Sequence, residues 1–539
     1  MKDPGTTPPT HAAAPAGSPF RHKVFTVIWI ATVVSNIGGW MYNVASGWLM
    51  TSLNPNALVV AMVQVANSLP MFLFAIPAGA LADIVNQRRF LIFGESSITV
   101  VSIAFAALVW LHLITPTSLL VFSFVVGVGS AMTAPAWQSV VAKLVPKPDL
   151  PSAIAVNSAG INVSRAIGPA LGGALVAALG IAAPFWFDAF SNIGVIAGLI
   201  WWRAPKKSGS PLPPEAFGSA VRTGLRYARY NSYLRATLLR TIAFFLFGSA
   251  YWALLPLVAR TQITGGPALY GILLGIIGAA AVGGAFVLKR FRAQWGADHL
   301  VAASSLGTAI ATGLFAIARE PATAMVASIV AGASWIGAVS SLNISAQVAL
   351  PEWVRGRGLA LYVTVMFGAL TIGSAIWGQL AVMAGLPAAL LLASVGAIIV
   401  IPLTWRWKLQ TGADVDFSPS MQWPDPVTTR EIDGDRGPVL VTVEYRIDPK
   451  NRDAFLRAIG KNSRERRRDG AYDWGIFEDP ADEGRFIETF LTDSWLEHLR
   501  LHRRVTKSDQ ISEQAVRRFQ IGDGPKTTHL VSAQRGDGR

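Results

Sequence analysis

Three charged side chains stand where charge is expensive. Glu95, Arg165 and Asp188 lie inside long, mostly apolar runs, and an ionised group at the centre of a bilayer costs ~2.5–3.5 kcal/mol on insertion scales. Groups kept at that cost are expected to face a cavity or a partner. A carboxyl in such a place suits reversible proton binding. Asp188, early in its run, is the first candidate for a proton-coupling acid and Glu95 the second; an interfacial or partnered acid is the alternative for each. Arg165, with Ser158 and Asn162, makes one polar face of its run and suits a neutral or anionic solute. Arg240, near the start of another run, reads as a snorkelling side chain. His498 and His502 have the i, i+4 spacing of helical metal ligands, but no third ligand is evident. They read as surface histidines, and neither a metal nor another cofactor is expected.

Uncharged polar groups are more numerous in the apolar runs. Asn36, Gly39, Asn43 and Gly47 share one helical face, Gln64 pairs with Asn67, Gln138 follows Trp137, and Asn343 stands four residues before Gln347. Hydrogen bonding between helices, at about 0.6–2 kcal/mol each, accounts for them as well as substrate contact does. Trp40, Trp48, Trp110, Trp252 and Trp335 either line a pore or belt the membrane interface.

The elements that carry these groups can live only in lipid. The 539 residues are 52% hydrophobic and 14% charged, with a mean hydropathy of +0.42, which excludes an ordinary soluble protein. Twelve runs reach the roughly 20 apolar residues a span needs: 24–50, 57–82, 90–112, 117–142, 154–179, 182–202, 236–259, 268–288, 298–318, 322–347, 358–383 and 387–407. The break at 203–235 divides them six and six. Residues 24–408 contain only eight acids, while the last hundred or so contain seventeen. Lys and Arg cluster in alternate loops, twenty in one set against Arg260 and Arg319 in the other. That bias places both termini in the cytoplasm and explains the +14 charge without nucleic acid. The absence of cysteine excludes disulfides and thiol chemistry.

The expected organisation is a disordered N-terminus (1–23), a six-helix bundle (24–202), a cytoplasmic loop (203–235), a second bundle (236–408), a Pro- and Asp-rich linker (409–438) and a soluble domain (439–539). Within the loop, Glu215 to Tyr233 reads as an amphipathic helix on the inner leaflet, with Arg222, Arg226 and Arg229 on one face; docking of the soluble domain is the other reading. The two bundles repeat. A shift of 205 superposes Gly79 on Gly284, Gly127 on Gly332, Pro146 on Pro351, Gly168 on Gly373, Gly173 on Gly378 and Gly180 on Gly385. Matched halves related by an axis along the membrane normal are one way to build alternating access.

Four segments carry a resemblance. Gly79-Ala-Leu-Ala-Asp83-Ile-Val-Asn86-Gln-Arg88-Arg89 resembles the loop signature of the major facilitator superfamily, with Asn86 where that pattern prefers glycine. Asn can enter the left-handed region the turn is expected to need. Ser164-Arg165-Ala-Ile-Gly168-Pro169-Ala-Leu-Gly172-Gly173 resembles the fifth-helix motif of its antiporters. By spacing alone, Gly168, Gly172 and Gly173 let a neighbouring helix approach and Pro169 bends the helix. Ser35-Asn36-Ile-Gly-Gly-Trp40-Met and Ala134-Pro135-Ala-Trp137-Gln138 are similar to the transmembrane secretion effectors, the branch related to the enterobactin exporter. The resemblance implies an all-α polytopic membrane protein of twelve helices in two pseudo-repeats, in a bacterial cytoplasmic membrane. It implies that Asp83 latches the cytoplasmic side with Arg88 and Arg89, that the Gly168–Gly173 segment is an exporter hinge, and that Asn43, Gln138, Tyr251 and Asn343 contact substrate.

Residues 439–447 alternate like a strand, Asp448 and Pro449 open a helix over 451–468, 472–477 and 485–491 read as strands, and Ser494 caps a further helix. This order predicts a ferredoxin-like α+β domain. It resembles antibiotic-biosynthesis-monooxygenase domains, which pair as dimers. Glu465 to Arg468 read as a solvated helix end, and the domain as regulatory or dimerising, not as an enzyme. The favoured function is proton-coupled export of a small amphipathic molecule, siderophore-like or drug-like. A membrane-anchored monooxygenase-like enzyme and an importer are the alternatives.

Overall fold

The computed structural model describes residues 18–203 apart from 142, then 217–411, 416 and 432–533; side chains at 80, 82–84, 147, 217–221, 289, 293 and 503 also lie outside the description. The expected disordered N-terminus, most of the linker and the latch role of Asp83 therefore fall outside the described residues. The chain forms two compact units. One comprises Met1–Pro214, Thr241–Ser341 and Val363–Arg406, the other Glu215–Arg240, Leu342–Tyr362 and Trp407–Arg539.

Among the described residues, twelve helical segments are long and apolar enough to cross a membrane. They are α1 (Lys23–Leu53), α2 (Ala57–Ile84), α3 (Gln87–Trp110), α4 (Pro116–Val141), α5 (Leu150–Leu179), α6 (Ala183–Trp201), α8 (Ser232–Leu257), α9 (Pro267–Ile317), α10 (Pro321–Val348), α11 (Glu352–Ala384) and α12 (Leu386–Thr404), while α7 (Phe217–Tyr230) precedes α8. The count reaches twelve because α9 carries two spans joined at Gly296, whose φ of 74° breaks the helix. All twelve agree with the apolar runs, because helices are the way a single segment satisfies its own backbone in hydrocarbon.

The repeat is visible in the first unit. Gly180 (φ 90°, ψ 170°) closes α5, and Gly385 (φ 89°, ψ 155°) opens α12. Residues 205 apart thus share a conformation that glycine alone adopts readily. A Cβ on Gly168 would lie 3.0 Å from the Ile37 carbonyl of α1, and one on Gly373 would strike Leu246 of α8, the helix equivalent to α1. A Cβ on Gly173 would lie 2.6 Å from the Pro267 carbonyl of α9, and one on Gly378 would be 3.2 Å from Leu58 Cα in α2. The small residues therefore let α5 touch the other half through α9, and α11 touch it through α2. Replacing Gly180 or Gly385 by alanine is expected to cost about 1–3 kcal/mol. A thermal midpoint of the detergent-solubilised protein unchanged by both substitutions would contradict this.

The loop after α2 departs from expectation. Asn86 has φ −69°, not a left-handed value, and its side chain caps α3 by accepting from the Arg89 amide at 3.2 Å. A short extended link ending in an N-cap makes the turn without glycine. Arg88 donates to the Leu199 and Ile200 carbonyls at 2.8 and 2.6 Å, satisfying the final carbonyls of α6 where a cation is favoured. Arg89 is exposed, and a Cβ on Gly79 would meet open space.

The second unit holds a four-stranded antiparallel sheet of β1 (Val439–Arg446), β2 (Tyr472–Glu478), β3 (Arg485–Thr492) and β4 (Lys526–Val531), in the order β2-β3-β1-β4. The helices α13 (Arg452–Asp469), α14 (Trp495–Arg504) and α15 (Lys507–Arg517) belong to it. Alternate β1 residues Val439, Val441, Val443 and Tyr445 are buried with Phe455, Ile459, Phe486 and Phe490. Ser494 caps α14, accepting from the Glu497 amide. The short α15 and the edge strand β4 carry little periodic signal and are absent from the sequence reading.

Three expectations are corrected here. The end of α13 is not solvated: Arg466 faces Glu488 at 3.6 Å, and Arg468 pairs with Asp469 and Asp509 at 2.9 and 2.8 Å. Arg240 does not snorkel; it is 3% exposed. In α7, Arg226 lies 3.8 Å from Glu497 of α14, and Tyr227, 1% exposed, packs on Trp353 and under the Arg468 guanidinium. The docking reading of this helix is the one the structure shows. Asn231 donates to the Ala349 carbonyl and Thr237 bonds Ser345, tying the starts of α8 and α11 and the end of α10 into the same unit.

Candidate functional site

A cavity of about 800 Å³ lies within the first unit, lined from α1, α2, α3, α4, α5, α6 and α8 to α11. It brings together five of the seven residues expected to contact substrate or carry a proton: Asn43, Glu95, Gln138, Arg165 and Asp188. Each reaches it for a local reason.

Asp188 sits in the second turn of α6, 5% exposed, and accepts from Ser102 Oγ of α3 at 3.2 Å. It can lie this close to α1 because the facing residue is Gly38, where a Cβ would stand 2.9 Å from the Asp188 Cα. Glu95 of α3 is 8% exposed and accepts from Trp137 Nε1 of α4 at 2.7 Å. Both acids are thus held by neutral donors, and among the described residues neither forms an ion pair. Neighbouring polar groups complete this wall: Ser35 donates to Asn192, and Tyr42 bonds Ser123.

Arg165 projects from α5, its guanidinium 5.6 Å from the centre of the Trp40 ring. Trp252 and Trp335 complete an aromatic surround. Its buried Nε has no hydrogen-bond partner among the described residues. A guanidinium stacked on indole keeps its charge and its donors for a third group. Asn67 donates to Asn43 at 3.2 Å, so this amide pair bridges α1 and α2 at the cavity.

Tyr251 and Asn343 do not join the site. Tyr251, 1% exposed, packs among Phe315, Trp335 and Trp252. The next residue, Trp252, faces the cavity in its place. Asn343 belongs to the second unit and accepts from Gln347 on its own helix. Asn157, Asn192 and Tyr270 line the cavity without having been singled out. Asn192 was within reach of sequence reasoning, since it stands four residues after Asp188 on the same helical face.

At the end where α1 finishes, Arg260 donates to Thr51 and Ser52 and lies over Trp48. Ser68 of α2 bonds Thr371 of α11. These contacts and the Gly173–Gly271 approach join the two halves around the cavity.

Two matched helical lobes enclosing a cavity in which polar groups are set among apolar walls define a multi-pass membrane transporter for small molecules. The chain belongs to the transmembrane secretion effector family of the major facilitator superfamily, whose family model matches residues 14–537. It is similar to the staphyloferrin A transporter of Staphylococcus aureus, 25% identical over 46% of this chain and 62% of that protein. It is also similar to the multidrug efflux pump Tap of Mycolicibacterium fortuitum, 25% identical over 69% of this chain and 93% of that pump. A bacterial homolog of the human lysosomal transporter Spinster, in an inward-facing and unoccupied conformation, shares the fold at 14% identity. Its TM-score is 0.54, over 72% of this chain and 97% of that one. These relatives are transporters, not enzymes.

Proposed function

We propose that the protein is a proton-coupled exporter of small amphipathic molecules, neutral or anionic, of the siderophore or drug class. It works by alternating access in a bacterial cytoplasmic membrane with both termini inside. The observation that carries this reading is the meeting in one cavity of Asp188, Glu95 and an Arg165 Nε without a partner among the described residues. Carboxyls held by neutral donors can take up and release a proton without breaking an ion pair. A stacked guanidinium offers a planar, anion-seeking contact beside indole faces that suit an apolar body. The relatives named for staphyloferrin A and for multidrug efflux support the substrate class, and the loop charge bias supports the orientation. The second unit is read as a ferredoxin-like module that regulates transport or pairs two copies.

Inverted vesicles containing the protein should accumulate a member of a siderophore and dye panel when energised. The accumulation should vanish with a protonophore. Accumulation that ignores the protonophore would remove proton coupling; uptake no greater than in vesicles lacking the protein would remove export.

A further inference from the structure

The second unit contains a cluster the transport reading does not use. His498 and His502 stand on successive turns of α14, and His529 reaches them from β4, where it pairs opposite Val441 of β1. The ring centres of His498 lie 4.7 Å from those of both His502 and His529. Candidate ligand nitrogens of all three lie within 4.8 Å of one another. The two helical histidines are not surface residues. His498 is 0% and His502 9% exposed. The sequence showed only two of the three, because the third is supplied by a strand at the far end of the domain.

We propose that His498, His502 and His529 form a binding site for one divalent late-transition-metal ion of the zinc class. The Nε2 atoms of His498 and His502 are 3.2 Å apart. The two rings can share a hydrogen bond at this spacing, and two nitrogens each at about 2.0–2.1 Å from a tetrahedral ion stand about 3.3 Å from one another, so a shared ion fits it as well. His498 is wholly buried, and its Nδ1 has no hydrogen-bond partner among the described residues. That far nitrogen leaves Nε2, which faces His502, as the ring atom aimed into the cluster. Neutral rings present the lone pairs that metal binding needs. An all-imidazole set favours zinc, copper, nickel or cobalt over magnesium or calcium, which prefer oxygen.

The site would clamp α14 to β4. The same helix carries Glu497 and Arg504, which face Arg226 of α7 and Trp353 of α11. Metal occupancy therefore acts on the helix that meets the C-terminal half of α7 and the start of α11.

The test uses the full chain, purified in detergent without a polyhistidine tag and stripped by a chelator. Cobalt should bind at one ion per chain, with the visible d–d absorption of a four-coordinate site, and raise the thermal midpoint; magnesium should do neither. His529→Gln, on the edge strand, should weaken cobalt and zinc binding by at least about 100-fold, more than an outer-shell partner usually costs. His498→Gln should do the same. Wild-type protein that takes up no more cobalt or zinc than magnesium overturns the site. So does wild-type binding that both variants retain, since the ion then sits elsewhere.

Discussion

Asp188→Asn should abolish uphill transport while leaving substrate binding in place. The asparagine keeps the shape of the side chain and can still accept from Ser102 Oγ, which lies 3.2 Å from the native carboxylate. It cannot exchange a proton. If Asp188 couples the two fluxes, removing its titration removes the link, and the steady-state accumulation ratio in energised vesicles should fall to about one. Exchange of labelled for unlabelled substrate, which needs no proton, should persist. Glu95→Gln keeps the acceptor for Trp137 Nε1 at 2.7 Å and should reduce the ratio less if Asp188 is the principal carrier. An Asp188→Asn protein that still concentrates substrate as the wild type does would remove this residue from the coupling, and an equal collapse in both variants would mean the two acids act as a pair.

The largest stability effect is expected from Arg504→Ala in the second unit. Arg504 is 5% exposed, donates to the Asp469 carbonyl at 2.7 Å and to Glu497 Oε1 at 2.5 Å, and lies 4.5 Å over the Trp353 ring. Its loss would leave Glu497 mostly buried with only the longer contacts to Arg226 at 3.8 Å and Arg500 at 3.5 Å. Stranding one partner of a buried pair costs about 3–5 kcal/mol, far more than the pair contributes against an apolar substitute. Limited proteolysis should then release the C-terminal domain at protease levels the wild type survives. Arg504→Lys should recover only part of the resistance, because an ammonium cannot both fork and stack. Proteolysis identical across the three proteins would show that this contact does not hold α14 in place.

Much of this architecture is written in the chain itself. Residues in lipid must bond their own backbone, so the apolar runs alone set where the twelve spans lie. Lys and Arg are confined to alternate loops by the cost of moving them across. The six glycine and proline matches at a shift of 205 were legible too, and one pair, Gly180 and Gly385, has nearly the same dihedral angles. Alternation in 439–447 marked β1 because one face of that strand is buried in a water-soluble core while the other is not. Glu95, Arg165 and Asp188 stood out because charge in hydrocarbon needs a reason.

What the chain could not decide was which way each helix faces. In water, the polar side of a helix betrays its orientation; in lipid, the outward and inward faces are both apolar, and the signal vanishes. Hence Trp252 and not Tyr251 meets the cavity, a rotation of about 100° that no periodicity encodes. In α7 the arginine stripe suited the inner leaflet as well as a docking face until Glu497 supplied the partner of Arg226 from 271 residues further on. His529 is the sharpest case. Nothing near it in sequence distinguishes it from an exposed strand residue, and only the pairing of β4 with β1 carries it to His498 and His502. Local pattern determined the elements; long-range packing alone brought distant side chains within bonding distance, because that closeness is a property of the folded whole and of no segment in it.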